Sequence, residues 1–186
     1  MPVEALLNTV KPSRDPLEEL VRDARQGDRQ AFDRLVGRFE QKVMKTALFL
    51  TRNLDDAEDV AQEVWVKVFR NLEGFEDTSR IEAWIYRITV NACHDLTRKR
   101  RFWQPLDKIF RSTQSRDPVQ QDELRTRLAA CLARLAFRER AAFILQELHE
   151  FETAEVARIL ECKETTVRGY LHGARKKMKR YLRSYR

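Results

Sequence analysis

The sequence predicts an all-α protein of two small helical domains joined by a flexible linker. Apolar residues recur at spacings of three and four along most of the 186 residues, and no stretch alternates as a strand does. Between residues 102 and 121 the periodicity fades in a segment with two prolines and several polar residues. We therefore expect an N-terminal tail over residues 1–14, a first domain over 15–101, a linker over 102–121 and a second domain over 122–186.

The first two helices have clear start and stop signals. The pair Asp15-Pro16 predicts the start of one helix, and Gly27 predicts its end. Asp28 follows directly and is placed to cap a second helix. The apolar stripe of that second helix runs from Ala31 to Leu50.

The third helix combines an apolar stripe with five carboxylates between Asp55 and Glu63. Asp55 is expected to cap it, with Glu58 three residues later in the capping-box position. Carboxylates near a helix N-terminus are favoured by the helix dipole, which explains the first turn but not the acidic charge beyond it. Because DNA would repel an acidic face, we expect this helix to meet a basic protein surface.

A polar break over residues 74–80 leads to the fourth helix, which ends in a basic cluster at Arg98 to Arg101. Trp84 is expected to pack inward. Tyr86, Arg87 and Asn91 fall outside the apolar stripe and are expected to need another partner. Basic side chains beside polar and aromatic groups suit single-stranded DNA, and the polar break is placed to form a pocket for an extruded base.

The second domain ends in a short helix, a tight turn and a long basic helix, which is the pattern of a helix-turn-helix. After Glu164 the chain carries eight Lys and Arg residues and no carboxylate. Gly169 and Gly173 lie opposite the apolar stripe of this last helix. Each costs the helix roughly 1 kcal/mol relative to alanine, so the pair predicts that another surface approaches the backbone closely. We expect this helix to read DNA.

Composition narrows the function classes. The net charge of +7 favours a polyanionic partner. The chain has no glycine-rich phosphate loop, no apolar run of membrane-spanning length and no signal-peptide core, so we expect a cytoplasmic protein without membrane insertion. The three cysteines are far apart and are expected to be free thiols. The three histidines lie in separate segments without a nucleophile or metal partner, so neither enzymatic activity nor a cofactor or metal is expected.

Four segments in order then carry a family resemblance: LVRDARQGDRQAF, DDAEDVAQEVWVKVF, IEAWIYRITVNACHDLTRKRR and the helix-turn-helix. Together they resemble bacterial RNA polymerase sigma factors of the extracytoplasmic-function (ECF) type over residues 17–182. The resemblance implies a region 2-like domain that binds core polymerase and melts the minus-ten element, and a region 4-like domain that reads the minus-thirty-five element. It also implies three partners: the β and β′ subunits of core RNA polymerase, promoter DNA and a cognate anti-sigma factor.

Matching positions imply three sets of functional residues. Polymerase contact falls on Asp56, Asp59, Gln62 and Glu63. Minus-ten recognition falls on Asp77, Thr78, Ser79, Arg80, Arg87 and Asn91, with phosphates near Arg98, Lys99, Arg100 and Arg101. Minus-thirty-five recognition falls on Thr165, Thr166, Arg168, Gly169, His172, Arg175, Lys176 and Lys179.

The sequence departs from the family pattern at several positions. The family usually has a glycine near Glu150, before the first helix of the helix-turn-helix, and Glu161 stands where a glycine commonly makes the turn. Gly169 and Gly173 stand where larger side chains are usual. These departures leave the predicted fold intact and leave open which bases the last helix prefers.

A second function class remains open at this point, a two-domain helix-turn-helix regulator whose first domain binds an effector or a partner. Such a regulator would bind duplex DNA tightly by itself and would dimerise. A sigma factor would bind duplex weakly when alone and would direct specific transcription once core polymerase is added.

Overall fold

The computed structural model describes residues 16–103 and 123–183, with side chains outside the description at 101–103 and 123–126. Within these ranges the chain is helical and contains no strand, which confirms the predicted fold class. The N-terminal bundle comprises α1 (Pro16–Arg25), α2 (Arg29–Thr51), α3 (Leu54–Asn71), a 3₁₀ turn (Thr78–Arg80) and α4 (Ile81–Trp103). The C-terminal bundle comprises α5 (Glu123–Ala133), α6 (Phe137–Phe143), a π-helical turn (Ile144–Leu148), α7 (Thr153–Ile159) and α8 (Glu164–Arg183). The predicted tail and most of the predicted linker lie outside the described residues.

Local signals set the ends of the first helices as predicted. Gly27, at φ 90°, ends the turn after α1. Asp28 caps α2, because its Oδ1 accepts hydrogen bonds from the backbone N–H groups of Gln30 at 2.8 Å and Ala31 at 3.1 Å. These contacts fix the short corner between α1 and α2.

The predicted cap of α3 is wrong. Asn53 caps this helix, with its side-chain oxygen accepting from the backbone N–H of Asp56 at 2.9 Å. Asn53 has the extended backbone of a cap residue, at φ −144° and ψ 134°, whereas Asp55 already lies in the first helical turn. Two acidic residues, Asp55 and Asp56, therefore stand at the positive end of the helix dipole.

The core of the N-terminal bundle forms around α2, which packs against α1, α3 and α4. Every third or fourth residue of α2 and α3 is buried, as the apolar stripes predict. The buried side chains are Leu35, Phe39, Val43 and Leu50 on α2, Val60, Val64 and Val68 on α3, and Ile81 and Ile85 on α4.

In the C-terminal bundle, α7 and α8 form the predicted helix-turn-helix. Val167, Leu171 and Ala174 of α8 are buried against the bundle, as predicted. Two turns require a left-handed backbone, at Glu150 (φ 59°) and Glu161 (φ 51°). Each glutamate is therefore held in a conformation that a Cβ disfavours.

The two bundles do not have separate cores, which the sequence did not predict. Buried residues of both belong to one continuous cluster, and α2 and α4 pack against α6 and α7. Tyr86, expected to lie outside the buried stripe, is only 1% exposed. That expectation is wrong because the partner that Tyr86 needs is the other bundle: its ring packs edge-on against Phe151 at a centroid distance of 5.1 Å.

His149 lies at the centre of this contact between the bundles. Its Nδ1 is 2.8 Å from the Tyr86 hydroxyl, and its Nε2 is 2.8 Å from Thr46 Oγ1. Burial, together with the positive charges of Lys42 and Lys45, lowers the pKa of His149 to about 4. The ring is therefore held neutral between the bundles.

Replacing Glu161 by glycine should stabilise the fold relative to replacing it by alanine, by about 1 kcal/mol. Both variants lose the same carboxylate, but only glycine relieves the left-handed backbone. The difference in free energy of unfolding between the two, measured by urea denaturation, checks this. An alanine variant as stable as the glycine variant would contradict it.

Acidification should destabilise the packing around His149. The folded-state pKa of about 4 lies below the ordinary value of 6.5, so the contribution of the neutral ring is full above pH 6.5 and is lost as the pH falls toward 4. Urea denaturation between pH 7 and pH 4.5 should show a steeper loss of stability in the wild type than in His149→Leu. The exposed His172 provides the control, because His172→Ala should keep the wild-type slope.

Candidate nucleic-acid and protein interfaces

The outer face of α8 presents the side chains predicted to read duplex DNA. Thr165, Arg168, Gly169, His172, Arg175, Lys176 and Lys179 are exposed, and Thr166 is half-buried. Five of them (Arg168, His172, Arg175, Lys176 and Lys179) line one cleft of about 440 Å³. The structure therefore brings the predicted cations together on one side of the helix, opposite its buried stripe.

Two cations of this face are paired within the chain. Arg168 contacts Glu164 at 3.1 Å, and Arg175 contacts Glu147 at 2.7 Å. All four side chains are exposed, so each pair is weak and screened by salt. A phosphate group could replace either carboxylate as the partner at little cost.

At Gly173 the group that approaches the helix backbone is a side chain of the same bundle. The expectation that both glycines leave the backbone of α8 open to another surface is therefore wrong for Gly173. A Cβ at this position would lie 2.7 Å from Glu139 Oε1, whereas a Cβ on Gly169 would meet nothing within 4 Å. Glu139 approaches α8 to accept a hydrogen bond from Lys177 at 2.6 Å. Burial raises the pKa of Glu139, but hydrogen bonds from Lys177 and the Ala136 N–H lower it more, so the net pKa is lowered. Only Gly169 remains open on the outer face.

Gln146 and Thr153 also line the α8 cleft, and no sequence pattern predicted either of them. Gln146 Nε2 donates to Thr153 Oγ1 at 3.3 Å, while its buried Oε1 has no hydrogen-bond partner in the described part of the chain. Both are neutral, so neither charge nor apolar periodicity could identify them. They add hydrogen-bonding groups to the floor of a basic cleft.

The acidic face of α3 is formed by Asp59, Gln62 and Glu63, which are exposed. Asp56 does not belong to it, because its side chain is 5% exposed and forms an ion pair with Arg100 of α4. Burial raises the pKa of Asp56, and the Arg100 charge opposes that shift. Asp56 and Arg100, predicted to contact polymerase and DNA respectively, thus join α3 to α4 within the bundle.

The loop before α4 is ordered by its own side chains. Asp77 accepts a hydrogen bond from Ser79 at 2.6 Å and pairs with Arg80 at 3.0 Å. Beside it, the rings of Phe75 and Trp84 stack at 4.6 Å. Ser79, Arg80 and Asp77 remain exposed, and Thr78 is half-buried, so the predicted base-binding loop is accessible.

Along α4, the remaining predicted DNA contacts are exposed wherever the side chain is described. Arg87 and Asn91 are four residues apart and therefore share one face of the helix. Arg87 lies 4.0 Å from Glu161 of the C-terminal bundle. Arg98 and Lys99 are exposed near the end of the helix, and the side chain of Arg101 is outside the described residues.

Family models match both bundles. Sigma-70 region 2 matches residues 35–102, and Sigma-70 region 4 matches residues 125–178. The ECF RNA polymerase sigma factor SigM of Mycobacterium tuberculosis is 30% identical over 158 residues, which are 84% of this chain and 79% of that protein. The chain belongs to the ECF sigma factors.

Further relatives and solved structures agree with this assignment. SigE of Mycolicibacterium smegmatis, another ECF sigma factor, is 31% identical over 93% of this chain and 70% of its own length. Bartonella quintana RpoE, solved in complex with the anti-sigma factor NepR, shares the fold with a TM-score of 0.71 and 26% identity, over 83% of this chain and 98% of that one. CnrH, solved with the cytosolic domain of CnrY, has the same TM-score of 0.71 at 24% identity, over 91% of this chain and 99% of that one.

As a sigma factor, the chain directs RNA polymerase to promoters at the start of transcription and has no enzymatic activity. Because sigma-factor family models match both bundles and ECF sigma factors are the similar relatives, the alternative of a two-domain regulator is not better supported. Among the described residues no group of three or more His, Cys, Asp or Glu could hold a metal ion. No described helix is both long and apolar enough to cross a membrane.

Arg100→Met should destabilise the N-terminal bundle by roughly 2 kcal/mol at pH 7, because it leaves the buried Asp56 carboxylate without its partner. The loss should shrink as the pH falls, since protonation of Asp56 removes the uncompensated charge. Urea denaturation at pH 7 and pH 4.5 measures both effects. Arg98→Met, at an exposed position, should cost no more than about 0.5 kcal/mol at either pH. Equal losses for the two variants would show that Arg100 has no structural role.

Proposed function

We propose that this ECF sigma factor docks on core RNA polymerase through Asp59, Gln62 and Glu63, the acidic face of α3. The inner side of the same helix packs in the core of the N-terminal bundle, where Val60, Val64 and Val68 are buried. The acidic face is therefore exposed to a basic protein surface, and the pair that Glu63 forms with Lys67 at 2.6 Å is itself exposed and weak. It carries negative charge in a protein of net charge +7, which supports a protein partner rather than DNA at this place.

The minus-ten element is proposed to bind the loop Asp77 to Arg80 and the neighbouring face of α4. Arg87 and Asn91 supply exposed polar groups to bases, and Arg98 and Lys99 supply charge to phosphates. Arg80 can turn from Asp77 to a phosphate because both side chains are about half exposed. The fixed loop would receive an extruded base of the melted strand.

The minus-thirty-five element is proposed to bind α8 as intact duplex. Arg168, His172 and Lys176 follow one another along the exposed side of the helix, and Gly169 leaves its backbone open there. Arg175 and Lys179 flank this line and would contact phosphates. The observation that carries the proposed function is this cluster of cations in one cleft, on a helix whose other side is buried.

A cognate anti-sigma factor is proposed as the regulatory partner. Bartonella quintana RpoE, which shares 26% identity and the fold, was solved with such a protein. The chain is proposed to act in the cytoplasm, because core polymerase and promoter DNA are there.

The test is transcription in vitro with purified core polymerase, comparing the wild type with Asp59→Arg. The variant should bind core about tenfold more weakly, because it repels a basic docking surface. Its stability should be unchanged, since Asp59 is exposed.

Asp33→Arg provides the matched control, with the same charge change at an exposed position of α2. It should bind core as the wild type does. Absence of a promoter-dependent transcript with the wild type would contradict the function itself. Equal core binding by Asp59→Arg and Asp33→Arg would contradict the assignment of the α3 face.

A further inference from the structure

Helix α2 carries a line of cations on its outer side, formed by Arg34, Arg38 and Lys45. All three side chains are exposed. Their spacings of four and seven residues place them on one face of the helix, with the exposed Gln41 between the last two. At 1.5 Å per residue the line is about 16 Å long. We name Arg34, Arg38 and Lys45 the α2 basic line.

The N-terminal bundle does not pair these charges. Within the described part of the chain, none of the three forms an ion pair with a carboxylate. Arg34 and Arg38 are four residues apart, a spacing at which like charges on a helix repel each other. The two carboxylates of α2, Asp33 and Glu40, lie about 100° or more around the helix axis from the line. The line is therefore a concentration of positive charge that the fold does not require.

A neighbouring lysine shows which surface the α2 basic line borders. Lys42, four residues after Arg38, forms an ion pair between its Nζ and Glu82 Oε1 at 2.9 Å. Glu82 lies in the first turn of α4 and comes two residues after Arg80, the last residue of the proposed base-binding loop. The α2 basic line therefore runs beside the loop to which the melted minus-ten strand is proposed to bind.

The other end of α4 carries the remaining cations of the minus-ten surface. Arg98 and Lys99 are exposed there, about 24 Å along the helix from Glu82. Duplex DNA has about twice as many phosphates per unit length as one strand, so this adjacent pair of cations suits duplex. Intact duplex is proposed upstream, at the minus-thirty-five element. The end of α4 beside the α2 basic line is then the downstream end, where the melted strand continues.

The phosphates of that strand fit the α2 basic line better than an acidic protein surface does. A strand held in the loop before α4 has to continue past it, so its backbone reaches the neighbouring cations without a second partner. Along 16 Å a stacked strand has about five phosphates, and a stretched strand has fewer. Three cations at this spacing can therefore each contact a phosphate of the same strand.

We propose that the α2 basic line binds the phosphates of the single strand immediately downstream of the minus-ten element. The inference rests on the proposed function, because the minus-ten loop is assigned there. Contacts to phosphates carry no base preference, so the line acts at every promoter that this sigma factor opens. Each phosphate that is neutralised releases counterions, so the contribution of the line depends on salt.

The test compares the wild type with a triple variant, Arg34→Gln, Arg38→Gln and Lys45→Gln, each bound to core polymerase. Two labelled single strands serve as probes, and both carry the minus-ten element of a promoter that the wild-type holoenzyme transcribes. The short strand ends at the element, and the long strand extends it downstream by about six thymidines. Fluorescence anisotropy measures the affinity of each holoenzyme for each strand.

The triple variant should bind the long strand about tenfold more weakly than the wild type at about 100 mM salt. It should bind the short strand within about twofold of the wild type, because that strand does not reach the line. For the long strand, the slope of log affinity against log salt should become shallower by about 2, since each of three single-strand phosphate contacts contributes about 0.7.

Arg38→Gln and Arg29→Gln provide a matched pair. Both are the same substitution at an exposed position of α2. Arg29 comes nine residues before Arg38 and therefore faces the opposite side of the helix, about 180° away. Arg38→Gln should bind the long strand about threefold more weakly than the wild type, whereas Arg29→Gln should bind it as the wild type does. Thermal unfolding of all variants should match the wild type, because the replaced side chains are exposed.

Equal affinity of the triple variant and the wild type for the long strand would overturn the proposal. So would an equal loss in Arg29→Gln, which would show an effect of net charge alone. Weaker binding of the triple variant to core polymerase itself would assign the line to an acidic polymerase surface and would also overturn it. Failure of the wild-type holoenzyme to give a promoter-dependent transcript would instead remove the proposed function, so the two failures are distinguishable.

Discussion

The packing of Tyr86 against His149 and Phe151 is central to how the two bundles lie against each other. It buries polar groups that are satisfied only across the boundary between the bundles, with Tyr86 and Thr46 on one side and His149 on the other. A purely apolar contact would allow the bundles to slide, whereas directional hydrogen bonds in a poorly solvated site fix one orientation. Packing within each bundle buries the inner sides of α3 and α8, and the contact between the bundles fixes how their outer faces lie relative to each other.

Those outer faces are divided by charge. The outward side of α3 is acidic, the α8 cleft is lined by cations, and α4 presents polar and basic groups near an ordered loop. Such a division suits an ECF sigma factor, because repulsion between acidic side chains and phosphates keeps DNA away from the protein-docking face. Arg168 and Arg175 form only weak, exposed pairs with Glu164 and Glu147, so both remain available for the proposed contact with phosphates.

The parts of the fold that depend on local signals were predicted from the sequence. Asp28, Gly27 and the apolar stripes specify helix ends and buried faces through contacts a few residues apart. The parts that depend on distant contacts were not predicted. The residues around Tyr86 do not indicate its hydrogen bond with His149, which lies 63 residues later. The residues around Gly173 likewise do not indicate the close approach of Glu139. For the same reason Asp56 and Arg100 read as surface charges, although they pair with each other across 44 residues. Asn53, not the predicted Asp55, caps α3. Both residue types can cap a helix, and which of them does so depends on backbone angles that the sequence pattern does not determine.

The central claim is that the outer faces left exposed by this packing divide the proposed work of a sigma factor, with the acidic face of α3 for core polymerase and the basic cleft of α8 for duplex DNA. Cryo-electron microscopy of the chain bound to core polymerase and promoter DNA tests it most directly. The account predicts that Asp59 and Gln62 contact core polymerase, that the loop Asp77 to Arg80 lies at the melted strand, and that Arg168 and Lys176 contact duplex. A complex in which the α3 face is turned away from polymerase, or the α8 cleft away from duplex, would contradict it.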